Sequence, residues 1–285
     1  MMHRCFQGLA IGFLWVLLSI VSVGGAMSED EITPGGSRVL RYEGYEYEFR
    51  APEGEGRNLD EITDFLEGFL GENTGVFRET ESDKVRIDVL YFPPRPGQEW
   101  WTLVTSGMSD LPMTVPDGLE NPEGVELAEL VLLLPKDWFV ADEKGLVAAD
   151  VMEDQQKFWP VEMLQWLARF PHEYESWVWY GHSFPNGDPA EPYSSNTKLS
   201  NALLLVPVHW QPEQYNMKLK NGRDLTFLSV VFLYDDERDV KLQQGTDVLT
   251  DAFDRAGVTE LLDISRPSAV RTKNVLDFLR GLSKK

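Results

Sequence analysis

The sequence predicts an α+β fold in which a mixed central β-sheet is flanked by helices, and three observations carry that reading. Short segments alternate apolar and polar residues like strands with one buried face, as at Val85, Ile87, Val89 and Tyr91. The run Glu126 to Leu134 is almost continuously apolar, which fits a central strand covered on both faces. Apolar residues at spacings of three and four mark helices, yet strands and helices interleave without a strict βαβ rhythm.

Taken in order, Tyr45, Tyr47 and Phe49 alternate with Glu46 and Glu48 and predict a first strand. Asn58 is placed to cap a helix whose Leu59, Ile62, Phe65, Leu66, Phe69 and Leu70 share one side. The strand Val85–Tyr91 ends at Pro93-Pro94-Arg95-Pro96-Gly97, and Trp100–Thr105 and Glu126–Leu134 follow as strands. Pro160 suits the first turn of a helix, where its missing N–H has no intrahelical partner, and Pro171 is expected to end that helix. Trp177–Phe184, Ala202–Val208 and Leu225–Tyr234 read as strands, with an open loop from Pro185 to Asn201; Val248–Ala256 and Val275–Leu282 read as helices. The 285 residues, 42% of them hydrophobic, are enough for one large packed domain. We place that domain at residues 39–285, behind a polar, acidic, flexible linker at 27–38.

Residues 1–26 read as an export signal. Arg4 precedes the apolar run Leu9–Val21, and Gly24-Gly25-Ala26 supplies the small residues at which a signal peptidase cuts. An uncleaved anchor helix, which needs about 18 apolar residues, and synthesis starting at Met27 are the competing readings. The expected location follows: periplasmic or secreted after cleavage, membrane-anchored without it, cytoplasmic if translation starts at Met27. Cleavage also removes Cys5, the single cysteine, and with it disulfide or thiol chemistry.

With 26 basic and 47 acidic residues the chain carries a formal charge of −21, and loss of Arg4 alone takes it to −22. So acidic a chain is a poor ligand for nucleic acid, whose phosphates demand a basic face. The excess keeps a protein soluble and monomeric, and it equally suits a face complementary to a basic partner. After cleavage no stable membrane association is expected.

Chemistry-bearing residues are sparse. His172, His182 and His209 lack the three- or four-residue spacing of a metal-binding helix, so neither a metal nor a cofactor is expected. His172 reads as an imidazolium beside a helix C-terminus, and His182 as a residue that orients a loop. Ser106-Gly107-Met108-Ser109-Asp110 has hydroxyls and an acid but no nucleophile-elbow pattern; Gly107 is expected in an unusual backbone conformation and Asp110 to cap the turn. Asp235-Asp236-Glu237-Arg238-Asp239 lacks the glycine and terminal glutamate of a calcium loop and reads as an acidic helix start. Trp177 and Trp179 share a strand face, which we assign to the core with most other tryptophans.

Several motifs stand in one order: Trp101–Leu111 with its Gly-Met-Ser-Asp core, Trp159-Pro160 leading to Arg169, Gly222–Leu233, and Leu262-Asp263-Ile264-Ser265-Arg266. Together they resemble the Suppressor of Fused domain family, from about Trp100 to Arg271. The resemblance implies a non-catalytic protein-binding domain. Animal members sequester a transcription factor, whereas bacterial members are associated with immunity against toxins. The acidic residue that precedes the family's histidine in animal members, and contacts their partner, is replaced here by Gly181, which argues against a transcription-factor role.

On this reading the contact residues are Ser109, Asp110, Tyr180, His182 and Asp188, and the structural motif comprises Gly107, Trp159, Pro160, Trp166, Arg169 and Gly181. The expected partner is a protein, a toxin in the immunity reading, bound with no catalytic residue. A secreted ligand-binding module using exposed aromatics, and a hydrolase built on His182 or His172, are the alternatives.

Overall fold

The structure, a computed structural model, describes residues 31–41, 51–52, 56–79, 82–119 and 121–271. Its elements in chain order are β1 (Glu31–Ile32), β2 (Arg38–Val39), α1 (Leu59–Leu70), β3 (Gly75–Phe77), β4 (Asp88–Phe92), β5 (Trp100–Ser106), β6 (Ala128–Pro135), α2 (Gln155–Glu173), β7 (Ser183–Pro185), β8 (Asn201–Leu205), β9 (Asn216–Lys218), β10 (Asp224–Leu233), α3 (Asp235–Gln244) and α4 (Thr246–Ala256). The expected leader at 1–26, the strand around Tyr45–Phe49 and the helix Val275–Leu282 lie outside the described residues.

Strands β3 to β10 form one mixed sheet in the order β3-β4-β5-β6-β10-β8-β7, with β9 paired to the start of β10. β6 and β10 run parallel, Leu130 opposite Leu228; the other pairs of this sheet are antiparallel. β6 therefore lies mid-sheet, as its apolar run requires. Alternate residues of β6 serve opposite faces. Ala128, Leu130, Leu132 and Leu134 meet α2 through Trp159, Val161, Leu164 and Leu167, while Val131 and Leu133 pack with α1 through Ile62, Leu66 and Leu70. α4 covers Leu203, Leu205, Val231 and Leu233 on the α1 side through Leu249, Ala252 and Phe253. Each fully buried Leu or Ile contributes about 1.5–3 kcal/mol.

Four expectations need correction. α2 begins five residues before Pro160, because the Asp154 carboxylate accepts from the Gln156 N–H at 2.9 Å and caps the helix there. Pro160 and Pro171 both sit inside α2, and the helix runs on to Glu173, where Lys84 Nζ reaches the carbonyls of His172 and Glu173. The strand expected at Trp177–Phe184 is confined to Ser183–Pro185, since Gly181 turns the chain at φ 81°. Asn58 precedes α1 without capping it; its amide donates instead to the Ser109 carbonyl at 3.0 Å.

Within the stretch read as a linker, β1 and β2 pair as a small hairpin. The Gly35 N–H at its turn donates to the Leu242 carbonyl at the end of α3. A Cβ at position 35 would lie 2.4 Å from the Gly245 nitrogen, so only glycine fits this approach.

Candidate functional site

Two polar constellations hold the residues singled out in the sequence, one inside the domain and one at the β7 edge. The inner one forms where β5 ends. Gly107 takes φ 122°, and a Cβ there would come 1.9 Å from the Arg86 carbonyl oxygen. That turn aims three donors at Glu129 of β6. Oε1 accepts from Gly107 N–H (3.0 Å), Ser109 N–H (2.9 Å) and Ser109 Oγ (2.6 Å), and Oε2 accepts from Thr105 Oγ1 (2.6 Å).

Glu129 is wholly buried, and among the described residues it forms no ion pair. Burial pushes its carboxyl up to about 7 against the pull of the Ser109 and Thr105 donors, and neighbouring Asp110 adds to the rise. Asp110 does not cap its own turn. Its carboxylate accepts from the Gly56 N–H at 2.9 Å and the Asn58 N–H at 3.3 Å, fixing the approach to α1, and burial raises its pKa as well.

Ser109 and Asp110 are thus interior residues, 2% and 5% exposed, which corrects their assignment as contact residues. His172 also belongs here. It lies in the last turn of α2, buried, and donates from Nε2 to the Met108 carbonyl at 2.9 Å. Burial takes its pKa down to about 4, so it is neutral at physiological pH and not the imidazolium expected at a helix end.

The outer constellation is the segment Trp177–Asp188. Gly181 N–H donates to the Leu204 carbonyl at 2.8 Å and His182 N–H to the Trp179 carbonyl at 3.0 Å, tying the turn to β8. His182 Nδ1 accepts from the Trp179 N–H at 3.3 Å, and the ring meets Trp177 edge-on at 5.0 Å. Burial, with the Lys241 charge nearby, lowers its pKa to about 4. His182 therefore orients the loop, as expected.

Ser183, the next residue, accepts through its Oγ from Lys241 Nζ at 3.2 Å. Lys241 of α3 is 4% exposed, and burial lowers its pKa. Tyr180 stands 40% exposed beside Asp247, and Asp188 is exposed. Trp177 and Trp179 are half-buried against the main core.

The motif residues divide between these constellations and the α2 scaffold. Trp159 is buried, parallel to Tyr193 at 5.2 Å and edge-on to Phe232 at 4.8 Å, and Pro160 is buried beside it. Arg169 pairs with the Glu79 carboxylate and lies 3.9 Å from Glu173, holding α2 to the segment before β4. Trp166 is 36% exposed and leans on Phe170 and Phe184. Among the described residues no three His, Cys, Asp or Glu side chains converge on a metal-sized site.

Sequence reasoning missed Glu129 and Lys241, and it placed Arg266 only within the closing motif. Glu129 had a signal, a lone acid inside an apolar central strand. Arg266 forms an ion pair with buried Glu237 of α3 that pins the closing segment; Lys241 and Glu237 carried no signal beyond their helix.

A family model described as Suppressor of fused protein (SUFU) matches residues 83–267. No curated protein matches the sequence. Among solved structures, a Suppressor of fused homologue from Neisseria gonorrhoeae FA 1090 is similar with a TM-score of 0.52 and 18% identity, over 74% of this chain and 95% of that one. Drosophila Suppressor of Fused is similar with a TM-score of 0.53 and 17% identity, over 81% of this chain and 56% of that one. At these identities the likeness is one of fold.

Proposed function

The chain belongs to the Suppressor of fused protein family, and from that premise we propose that it is a protein-binding domain that presents a preformed surface to a protein partner without catalysing a reaction. The observation that carries this reading is the hydrogen-bonded backbone of the Trp179–His182 turn at the β7 edge. His182, the residue best suited to acid–base work, uses Nδ1 to hold the Trp179 backbone, and the turn it holds leaves Tyr180 exposed beside Asp247. A half-exposed tyrosine on a fixed backbone is a good anchor, because little side-chain and loop entropy is lost on binding.

The formal charge of −21 supports a basic partner, since opposite charge speeds encounter. In the finer form of the proposal the partner is a toxin that this chain neutralises as an immunity protein. If residues 1–26 direct export, the toxin acts outside the cytoplasm. The test is affinity capture from the source cells with residues 27–285 as bait, followed by salt-dependent kinetics on the purified pair. The expected partner is a basic protein bound with Kd below about 1 μM, equivalent to about −8 kcal/mol, and its association slows as salt rises. Capture of nothing specific, or association indifferent to salt, contradicts the reading.

A further inference from the structure

A second surface combines exposed apolar side chains with acids, far along the sheet from β7, on the loop that joins β6 to α2. Trp138 and Phe139 enter the main core, 6% and 5% exposed, and Trp138 Nε1 donates to the Lys157 carbonyl at 2.9 Å. A tight turn follows. Asp142 Oδ1 accepts from the Lys144 and Leu146 N–H groups, both at 2.9 Å, and the Gly145 carbonyl accepts from Thr74 Oγ1 at 2.8 Å.

Gly145 also packs so closely that a Cβ would lie 3.1 Å from Pro93 and Thr74, which ties the turn to the β3–β4 end of the sheet. Ala141 and Val147 form an antiparallel bridge, and Val147 is buried at 7% exposure. Residues one step either side of such a bridge face the opposite way. Val140 and Leu146 therefore share the outward face, and they are 82% and 51% exposed.

Two exposed aliphatic side chains on so firmly anchored a turn form a preorganised knob. Along this loop acids outnumber bases: Asp137, Asp142, Glu143, Asp150 and Glu153 are all exposed, against Lys136 and Lys144, and Lys136 is paired with Glu99 at 3.6 Å. That charge opposes an anionic lipid surface or a second copy of this acidic face and favours a cationic protein surface.

We propose that the Val140–Leu146 turn is a second docking face, seated in an apolar depression of a protein partner whose rim carries Lys or Arg. It extends the protein-binding reading and rests on it.

Amide chemical shifts of the isotope-labelled full chain, titrated with three short synthetic helices, test the proposal. One helix carries Leu at spacings of three and four among Lys, one the same Leu pattern among Glu, and one Ser in place of Leu among Lys. The Leu/Lys helix is expected to shift residues 140–147 saturably, and Val140→Asp with Leu146→Asp to weaken it about tenfold or more with the remaining spectrum unchanged. Equal binding of the Leu/Glu or Ser/Lys helix overturns the proposal, as do shifts centred on Tyr180–Asp188. So do shifts of 140–147 that grow with protein concentration alone, which identify a second copy as the occupant. Each of these failures leaves the β7-edge reading standing, because that reading is tested by variants of Tyr180 and Asp188.

Discussion

Arg266 forks onto Glu237, Nη1 to Oε1 at 2.6 Å and Nη2 to Oε2 at 2.7 Å, with the Glu237 side chain wholly buried. The same carboxylate accepts from the Ala269 N–H at 2.8 Å and the Tyr234 N–H at 3.0 Å, while Arg266 also donates to the Phe232 carbonyl at 2.8 Å. One ion pair thus joins the closing segment, the start of α3 and the end of β10. Arg266→Met removes the cation and leaves a buried acid unpaired, and we expect a loss of about 3–5 kcal/mol in denaturant unfolding. A loss under about 1 kcal/mol shows that the pair is not structural.

Gly107→Ala tests the turn that aims donors at Glu129. Both the positive φ and the 1.9 Å approach to the Arg86 carbonyl oppose any side chain. We expect at least about 3 kcal/mol of destabilisation, whereas Gly118→Ala, with positive φ but open space around it, is expected to cost about 1 kcal/mol. Equal effects at the two sites contradict this account.

The acid box sets a pH dependence with a definite sign. Glu129 has a folded pKa raised to about 7 from an ordinary 4.5, so the native state favours the protonated acid. Its contribution is complete below about pH 4.5 and is lost as pH rises through 7. Asp110, also raised, acts in the same direction. The slope from pH 5 to 8 contributed by Glu129 amounts to no more than about 3 kcal/mol, at 1.36 kcal/mol per unit. Glu129→Gln is expected to flatten that slope, and Glu129→Leu to destabilise at every pH by orphaning four donors, each costing about 1–3 kcal/mol. A wild-type slope unchanged in Glu129→Gln contradicts the assignment.

Much of the sheet was legible because the strands obey simple periodicities. The buried run Ala128–Leu134 and the alternation around Val89 and Tyr91 follow from two-faced and packed environments, and the acid-rich start of α3 from its macrodipole. What failed was local punctuation read without tertiary context. Pro160 looked like a helix start, but Asp154 caps earlier and burial of Trp159 and Val161 holds the proline within α2. Aromatic, β-prone Trp177–Tyr180 looked like a strand, yet Gly181 turns the chain before it joins β8.

The site was legible by half for the same reason. Gly107 and His182 announced special backbone geometry, but only the fold shows that Ser109 and Asp110 turn inward to Glu129 and the α1 entrance.

His182 carries a further prediction. Its folded pKa of about 4 lies below the ordinary 6.5, so its stabilising contribution is present above 6.5 and lost as pH falls toward 4. Partner affinity is expected to stay flat from pH 6.5 to 8. His182→Ala, which frees the Trp179 backbone, is expected to cost about 1 kcal/mol in stability and to raise hydrogen exchange across Trp177–Ser183. Unchanged exchange there shows that the ring does not order the edge.

The most direct test of the central claim is the association rate of the captured partner with wild type, Tyr180→Ala and Asp188→Lys across a salt series. The account predicts that the wild-type rate falls steeply with salt and that Asp188→Lys slows association at low salt. Tyr180→Ala is predicted mainly to speed dissociation, and no reaction product forms in any mixture. Rates identical in all three proteins, or turnover of the partner, contradict it.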